Sequence, residues 1–190
     1  RDREKLELLC QKLKETLPRL DYFFCNAGKS IHRKITDALD RLHDYDRTID
    51  LNYRALVALS LALLPTLKAS KGSIVYSSSV STRYPMAPGW SAYHASKCAA
   101  NTWCETANSE FAPLGVRVQI AYLPLVHTAM SDVNERYRQL PAYYPADAAN
   151  ILLRLAIRKR KRYQPWWAKL SAPIAYLFAP IVHLFYKRVV

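Results

Sequence analysis

The chain has 190 residues, of which 51% are apolar and 23% charged, so it can bury one hydrophobic core and shows no sign of a second large domain. Its formal net charge of +13 favours an anionic partner, either nucleic acid or lipid headgroups. No nucleic-acid motif is present, and the densest positive charge adjoins the most apolar segment, so nucleic acid is excluded as the expected partner.

The cysteines and histidines exclude a metal centre. The cysteines have neither metal-ligand spacing nor a paired pattern, which indicates reduced thiols of an intracellular protein. The histidines are scattered and lack neighbouring acidic clusters, so no metal site is predicted. These residues are Cys10, Cys25, Cys98, Cys104, His32, His43, His94, His127 and His183.

Hydrophobic periodicity predicts an alternation of helices and strands, which indicates an α/β fold with a parallel sheet. The predicted helices cover residues 3–17, about 45–64, 91–111 and 146–158, and the predicted strands cover residues 20–25, 73–78 and 116–123. The helix from residue 45 is expected to stop at Pro65, because proline disfavours helical geometry in the residue before it. The polar, irregular segment 128–145 reads equally well as a substrate cover or as a surface loop.

Tyr93 and Lys97 form the most informative pair in the sequence. Residues four apart on a helix project from the same face, so this phenol and this ammonium can share one site. A nearby positive charge lowers the pKa of a tyrosine, which predicts that Lys97 tunes Tyr93 as a proton donor. The alternative is a chance pair on a solvated helix.

The surroundings of this pair favour the site. The apolar, β-branched segment 72–77 reads as a buried strand that ends in hydroxyls at Ser77 to Ser79. An earlier strand leads into Asn26-Ala27-Gly28, where glycine suits a tight turn. Open α/β sheets bind ligands outside the carboxyl ends of their strands, which is where these residues are expected to lie.

The chain resembles the short-chain dehydrogenase/reductase family in the order and spacing of its motifs. The matching features span most of residues 20–130. They are Asn26-Ala27-Gly28 after a strand, Asn52, Ser79 at a strand end, Tyr93 with Lys97, and the strand of Val116-Arg117-Val118 that leads to Thr128. The resemblance implies a doubly wound, Rossmann-like parallel sheet and hydride transfer with NADP or NAD, NADP being slightly preferred.

The resemblance also assigns roles. It implies that Tyr93 is the acid/base and that Ser79 orients the carbonyl. Lys97 is then the tuner of Tyr93 and the holder of the nicotinamide ribose, and Asn52 organises a proton-relay water. The cofactor-binding residues implied are Asn26, Ala27, Gly28, Tyr93, Lys97, Pro124, Val126 and Thr128.

Several features depart from the family pattern. With only four glycines, the sequence holds no Gly-x-Gly-x-x-Gly phosphate loop, and it lacks the charged residue that selects NAD or NADP. Arg1 opens a helix-like stretch that corresponds to the middle of the family's fold, so we expect an N-terminally incomplete domain, with the first βαβ portion lost or outside this sequence.

Two further departures lie near the site. The usual Pro-Gly after the sixth strand is Leu123-Pro124, which removes a backbone N–H and occurs in the ketodihydrosphingosine-reductase branch. The interval from Ser79 to Tyr93 is one residue longer than is common in the family, which predicts an insertion within residues 85–90.

The C-terminus predicts a membrane-associating tail over residues 161–190, after a dehydrogenase-like domain over residues 1–160. A basic run at 158–162 precedes Trp166-Trp167 and an apolar stretch at 170–186, which is the composition of a membrane interface. Pro173, Pro180 and Lys169 argue against a spanning helix and favour two short helical pieces in one leaflet. A similar tail occurs in some membrane-associated hydroxysteroid dehydrogenases. The alternative is packing in a subunit interface.

Two functions remain open at this stage. The first is an intracellular, membrane-associated oxidoreductase, in the endoplasmic reticulum or a mitochondrial membrane, acting on a small hydrophobic carbonyl or alcohol such as a sterol or long-chain ketone. The second is a non-catalytic structural subunit of a membrane assembly. The filled catalytic tetrad favours the first, and the missing glycine loop favours the second. The resemblance also implies a homodimer through helices 45–64 and 91–111.

Overall fold

The computed structural model describes residues 2–131 and 135–189 and shows a parallel sheet with helices on both faces. The strands, in spatial as well as chain order, are β1 (Tyr22–Cys25), β2 (Ser73–Ser79), β3 (Arg117–Leu123) and β4 (Arg162–Tyr163). The helices are α1 (Arg3–Thr16), α2 (Leu42–Ile49), α3 (Ala55–Ser70), α4 (Ser91–Phe111), α5 (Glu135–Arg138), α6 (Pro145–Ile157), α7 (Trp166–Leu177) and α8 (Ala179–Val189). The predicted α/β parallel fold is confirmed.

The register of the sheet fixes where functional groups can meet. β2 pairs with β3 along its whole length, from Ser73 opposite Arg117 to Ser79 opposite Leu123, and β1 pairs with the first half of β2. All pairings are parallel, so the carboxyl ends of the strands lie at one edge of the sheet. The loops after β1, β2 and β3 therefore start on the same side, as the sequence predicted.

Alternate residues of the central strands fill two separate cores. Ile74 and Tyr76 of β2 pack with α3 and α4, whereas Val75 between them packs with α6. β3 repeats this pattern, with Ile120 on the first face and Ala121 on the second. The period of two explains why these strands read as continuous apolar runs, since both faces are covered.

The prediction that a helix stops at Pro65 is wrong. α3 continues through Pro65 to Ser70 and ends at Lys71, which adopts a left-handed conformation. A proline inside a helix removes one hydrogen bond to the carbonyl four residues earlier, here that of Leu61. Leu61 is exposed, so water can satisfy that carbonyl, and Leu63 and Leu67 on the other side are buried in the core. Core packing outweighs the local cost of the proline.

The sequence did not predict the short helix α5, nor two further elements that lie closer to the site and the sheet. A π-helical segment, Asp50–Arg54, joins α2 to α3 and contains Asn52. The two-residue strand β4 extends the sheet at Arg162–Tyr163, beyond the boundary expected at residue 160, and pairs with Ile120 and Ala121 of β3. Elements of 5 and 2 residues are too short to show a periodic hydrophobic pattern, so the sequence alone does not predict them.

The tail forms two helices, α7 and α8, separated near Phe178. Pro173 does not interrupt the tail as expected but lies inside α7, while Pro180 is the second residue of α8, where proline costs little. Within the described residues, none of the helices is both long and apolar enough to cross a bilayer. The inner side of α7 places Ala168 and Ala172 in buried positions.

Candidate active site

The predicted catalytic residues meet at the carboxyl edge of the sheet. Ser79 ends β2, Tyr93 and Lys97 lie in the first two turns of α4, and Asn52 lies in the π-helical segment. Ser79 and Tyr93 are close enough for the serine side chain to act on the pKa of the tyrosine. Four residues spread over almost fifty positions of the chain are thus brought into one site.

Asn52 holds two elements of the site together. Its Oδ1 accepts a hydrogen bond from the backbone N–H of Lys29 at 2.8 Å, and its Nδ2 donates to the carbonyl oxygen of Lys29 at 2.9 Å. The same Nδ2 donates to Ser96 Oγ of α4 at 2.9 Å. The side chain is almost fully buried. Asn52 therefore fixes the loop after β1 against the helix that carries the tyrosine and lysine.

Lys97 is a buried cation. Its ammonium donates a hydrogen bond to the carbonyl oxygen of Ser77 at 2.9 Å and lies 4.8 Å from the centroid of the Tyr76 ring. Only 5% of the residue is exposed. Burial removes water from the charge and lowers the pKa of Lys97 to about 8. The ammonium is still mostly protonated at neutral pH, and burying its charge lowers the stability of the fold.

The expected lowering of the Tyr93 pKa is wrong for this structure. Burial of the phenol raises its pKa, and the hydrogen bond from Ser79 opposes that shift without cancelling it. Desolvation of the phenolate is the larger effect, and the ammonium of Lys97 is engaged with Ser77 and Tyr76. Tyr93 is consequently a neutral phenol at physiological pH, ready to donate a proton.

A polar bridge, not predicted from the sequence, ties the serine to the tyrosine helix. Thr82 Oγ1 donates to the carbonyl oxygen of Ser79 at 2.7 Å, and Asn101 Nδ2 of α4 donates to Thr82 Oγ1 at 2.8 Å. His94 Nε2 lies 3.2 Å from the carbonyl oxygen of Ser81. The one sequence signal was the asparagine itself, one helical turn after Lys97 on the buried side of α4. The bridge fixes Ser79 relative to Tyr93.

An aromatic cluster borders the catalytic tyrosine. Trp90 makes an edge contact with Tyr93, at 6.2 Å between ring centroids, and stacks on Tyr137 at 5.6 Å. The ring of His32 lies 4.6 Å from that of Trp90 and leaves no room for a side chain at Gly89, where a Cβ atom would come within 2.7 Å of His32 Nε2. Planar apolar surface thus covers one side of the phenol.

The residues predicted to bind a cofactor after β1 lie together. Asn26 and Ala27 are exposed at the end of β1, and Asn26 Oδ1 accepts a hydrogen bond from Ser77 Oγ at 2.7 Å. A Cβ atom on Gly28 would lie 3.4 Å from both Lys97 Nζ and Asn52 Oδ1, so this glycine is packed against the site.

The residues after β3 that were predicted to bind a cofactor do not all lie at the site. Pro124 and Val126 follow the end of β3, where Val126 forms an isolated bridge with Tyr143. Thr128 lies further away in a surface turn, exposed, and its backbone N–H is hydrogen-bonded to Ser131 Oγ at 2.9 Å. The structure therefore places Pro124 and Val126 at the site edge and leaves Thr128 outside the hydrogen-bonded group.

The site fits a nicotinamide nucleoside. An ammonium has three donors, and among the described residues Ser77 accepts one from Lys97, so donors remain for a ribose diol. The exposed backbone of Asn26 and Ala27 offers a surface next to that ammonium. The residues present are those that would hold the ribose and nicotinamide, while the described chain contains no glycine-rich loop for the phosphates. Within residues 2–131 and 135–189 no group of side chains is suited to a metal ion.

The sequence is similar to those of known reductases. A fatty acyl-CoA reductase from Acinetobacter baylyi is 32% identical over 183 residues, which cover 96% of this chain and 61% of that protein. A fatty acyl-CoA reductase from Mycobacterium tuberculosis is 32% identical over 165 residues, covering 86% of this chain and 56% of the relative. The chain thus spans somewhat more than half the length of these relatives. They do not point specifically to the hydroxysteroid dehydrogenase or ketodihydrosphingosine reductase branches.

Solved structures share the fold. A short-chain dehydrogenase from Burkholderia cenocepacia, crystallised with NADP, superposes with a TM-score of 0.76 at 23% identity, over 100% of this chain and 75% of that one. A short-chain dehydrogenase from Streptomyces avermitilis gives a TM-score of 0.75 at 22% identity, over 99% of this chain and 76% of the other. The family model for short chain dehydrogenases matches residues 1–138. The chain belongs to the short-chain dehydrogenase family.

Proposed function

We propose that this chain is the catalytic part of a reductase that acts on the carbonyl group of a lipid-like substrate, with NADP preferred over NAD. The observation that carries the proposal is the assembled group of Asn52, Ser79, Tyr93 and Lys97 at the carboxyl edge of the sheet. A structural subunit has no need to keep a buried ammonium, which costs stability. The solved relative that contains NADP supports the choice of cofactor.

Each side chain of the site has its own role in the proposed reaction. A bound nicotinamide cofactor supplies the hydride. Ser79, fixed by Thr82 and Asn101, donates a hydrogen bond that orients the carbonyl oxygen. Tyr93 gives its proton to that oxygen as negative charge develops. Lys97 is proposed to hold the nicotinamide ribose through the donors of its ammonium that Ser77 does not use. Asn52 contributes by holding the loop after β1 in place.

Tyr93 is in the protonation state that reduction of a carbonyl requires. Burial raises the pKa of this phenol, so the neutral form dominates at physiological pH. A neutral phenol donates a proton to a carbonyl oxygen, whereas alcohol oxidation needs the phenolate as base. The names of the two relatives, both fatty acyl-CoA reductases, agree with the reductive direction.

The substrate class follows from the same relatives and from the tail. Relatives that act on fatty acyl-CoA favour a linear acyl chain over the sterol considered at first. The proposed substrate is therefore a long-chain acyl thioester or the corresponding aldehyde. With the aldehyde, hydride addition to the carbonyl carbon and protonation of its oxygen give the alcohol. With the thioester, the same addition gives a hemithioacetal, whose C–S bond then breaks to release the thiol and the aldehyde.

The tail is proposed to bind the surface of an anionic membrane. Large apolar side chains recur every three or four residues within each tail helix, and all are exposed. They are Trp166, Leu170, Ile174, Leu177, Ile181 and Leu184. Arg158, Lys159 and Arg160 are exposed next to α7, which suits anionic headgroups. Lys161 and Arg162 of the same basic run instead pair with Glu105. We place the protein at an intracellular membrane, and the homodimer stays a prediction.

Replacing the catalytic phenol tests the proposed reaction. We expect Tyr93→Phe to lower turnover of a long-chain aldehyde by about 10²- to 10⁴-fold, because the proton donor is lost. The fold should persist, since only a hydroxyl is removed. The measurement is NADPH oxidation by the complete natural protein, with thermal unfolding followed by circular dichroism. Tyr22→Phe, at the opposite end of β1, is the matched control and should keep full turnover. Unchanged turnover in Tyr93→Phe rules out the mechanism.

The buried ammonium predicts a pH-dependent stability. The pKa of Lys97 is about 8 in the fold and near 10.5 in the unfolded chain, so its charge destabilises the protein below pH 8. That cost is relieved as the pH rises from 8 to 10.5. We expect Lys97→Met to be more stable than the natural protein at pH 7, by up to about 3 kcal/mol, and the difference to shrink by pH 10.5. Urea unfolding at both pH values measures it.

The control for this comparison is Lys68→Met, because Lys68 is an exposed lysine on α3. It should leave stability nearly unchanged at both pH values. A Lys97→Met variant that is less stable than the natural protein at pH 7, by an amount independent of pH, would contradict the assignment of Lys97 as a charge buried at a cost.

Membrane binding is tested by placing a charge on the apolar face of the tail. We expect Leu170→Glu to abolish co-sedimentation of the complete protein with phosphatidylcholine vesicles that contain phosphatidylglycerol. Leu39→Glu makes the same change at an exposed leucine outside the tail and should sediment normally. If both variants bind vesicles alike, the membrane proposal fails. If Leu170→Glu instead converts a dimer to a monomer without affecting vesicle binding, the face is a subunit interface.

A further inference from the structure

A cavity of about 350 Å³ lies between the loop after β2 and the tail helices. Its lining includes Ser81, Tyr84, Met86, Trp90, Ala175 and Tyr186. The volume falls within the range of small-molecule sites, which is about 300 to 1,000 Å³. None of the described side chains that line it carries a formal charge, so it suits an uncharged, largely apolar group.

Two residues that line the cavity contact the catalytic serine and the catalytic tyrosine. Ser81 Oγ lies 2.9 Å from Ser79 Oγ, so the residue next to the cavity contacts the carbonyl-orienting serine. Trp90, another lining residue, makes the edge contact with Tyr93 at 6.2 Å. A molecule whose carbonyl group is held by Ser79 and Tyr93 can extend its remaining length directly into this space.

The tail forms one wall of the cavity. Tyr84 Oη and Ser171 Oγ are hydrogen-bonded at 2.7 Å, which fixes α7 to the loop after β2. Ala172, one position further along α7, is buried, while Ala175 faces the cavity. Leu170 and Ile174 of the same helix are exposed on the other side. A single helix therefore separates the cavity from the apolar outer face.

We infer that this cavity is the subsite for the hydrocarbon chain of the substrate, with the tail helix α7 as its selective wall. The inference rests on the proposed reductase function and names where the chain of that substrate lies. A linear chain fits because none of the lining side chains is charged, and because the cavity begins at Ser81 and Trp90, which contact Ser79 and Tyr93. The small side chain of Ala175 then determines how much chain the cavity accepts.

Filling the cavity provides the test. We expect Ala175→Leu in the complete natural protein to lower kcat/KM for hexadecanal by at least about tenfold, while kcat/KM for butanal stays unchanged. The long chain needs the space that the leucine occupies, and the short chain does not. Ala69→Leu, at an exposed alanine of α3, is the matched control and should change neither value. Equal loss for both aldehydes, or no loss for either, overturns the assignment of the cavity.

A binding measurement separates this inference from the proposed function. Binding of a fluorescent long-chain polyene alcohol is titrated with the natural protein and with Ala175→Leu. Weaker binding to Ala175→Leu, in a protein that reduces neither the aldehyde nor the acyl thioester, supports the subsite and refutes the reductase. Turnover of hexadecanal together with equal alcohol binding by both proteins supports the reductase and refutes the subsite.

Discussion

The arrangement of the site depends on the side chain of Asn52. Three hydrogen bonds from one buried amide join the backbone of Lys29 to Ser96 of α4, and so connect the loop after β1 to the helix of Tyr93 and Lys97. The π-helical segment matters because it inserts one residue into a helical turn, and such insertions often occur at functional sites. The loop after β1 also contacts the start of α4 where Arg33 donates to the carbonyl oxygen of Gly89 and where His32 packs on Trp90, but Asn52 forms its bonds beside Lys97.

The second constraint is the cost of burying Lys97. A single hydrogen bond to Ser77 and the face of the Tyr76 ring do not replace the water that the ammonium loses, so its pKa falls to about 8. The nearby phenol of Tyr93 responds to the same burial in the opposite sense and stays protonated. Burying a cation next to a neutral acid lowers the stability of the fold. Such an arrangement is typical of an active site.

Much of this architecture follows from the order of residues in the sequence. In a parallel sheet the carboxyl ends of the strands share one edge, so Asn26 and Ser79 could be placed together once their strands were recognised. The spacing of Tyr93 and Lys97 placed both on one helical face. These predictions succeeded because they rest on local periodicity and on the geometry common to all parallel sheets.

Other features depend on tertiary packing and could not be predicted in this way. α3 passes through Pro65 because buried leucines on its other face compensate for one lost hydrogen bond. The Thr82 to Asn101 bridge joins residues nineteen positions apart that share no sequence pattern. The pKa of Tyr93 rises where the sequence suggested a fall, since burial is a property of the fold rather than of neighbouring residues. The contact of the tail with the loop after β2 likewise joins distant segments through Tyr84 and Ser171.

The central claim is that the assembled residues carry out hydride transfer to a carbonyl carbon. It is tested most directly by incubating the complete natural protein with a long-chain aldehyde and NADPH deuterated at the transferable position, followed by mass spectrometry of the product. The proposed function predicts a primary alcohol with one deuterium on the carbon of the former carbonyl group. An unlabelled alcohol, or unreacted aldehyde recovered together with intact NADPH, would contradict it.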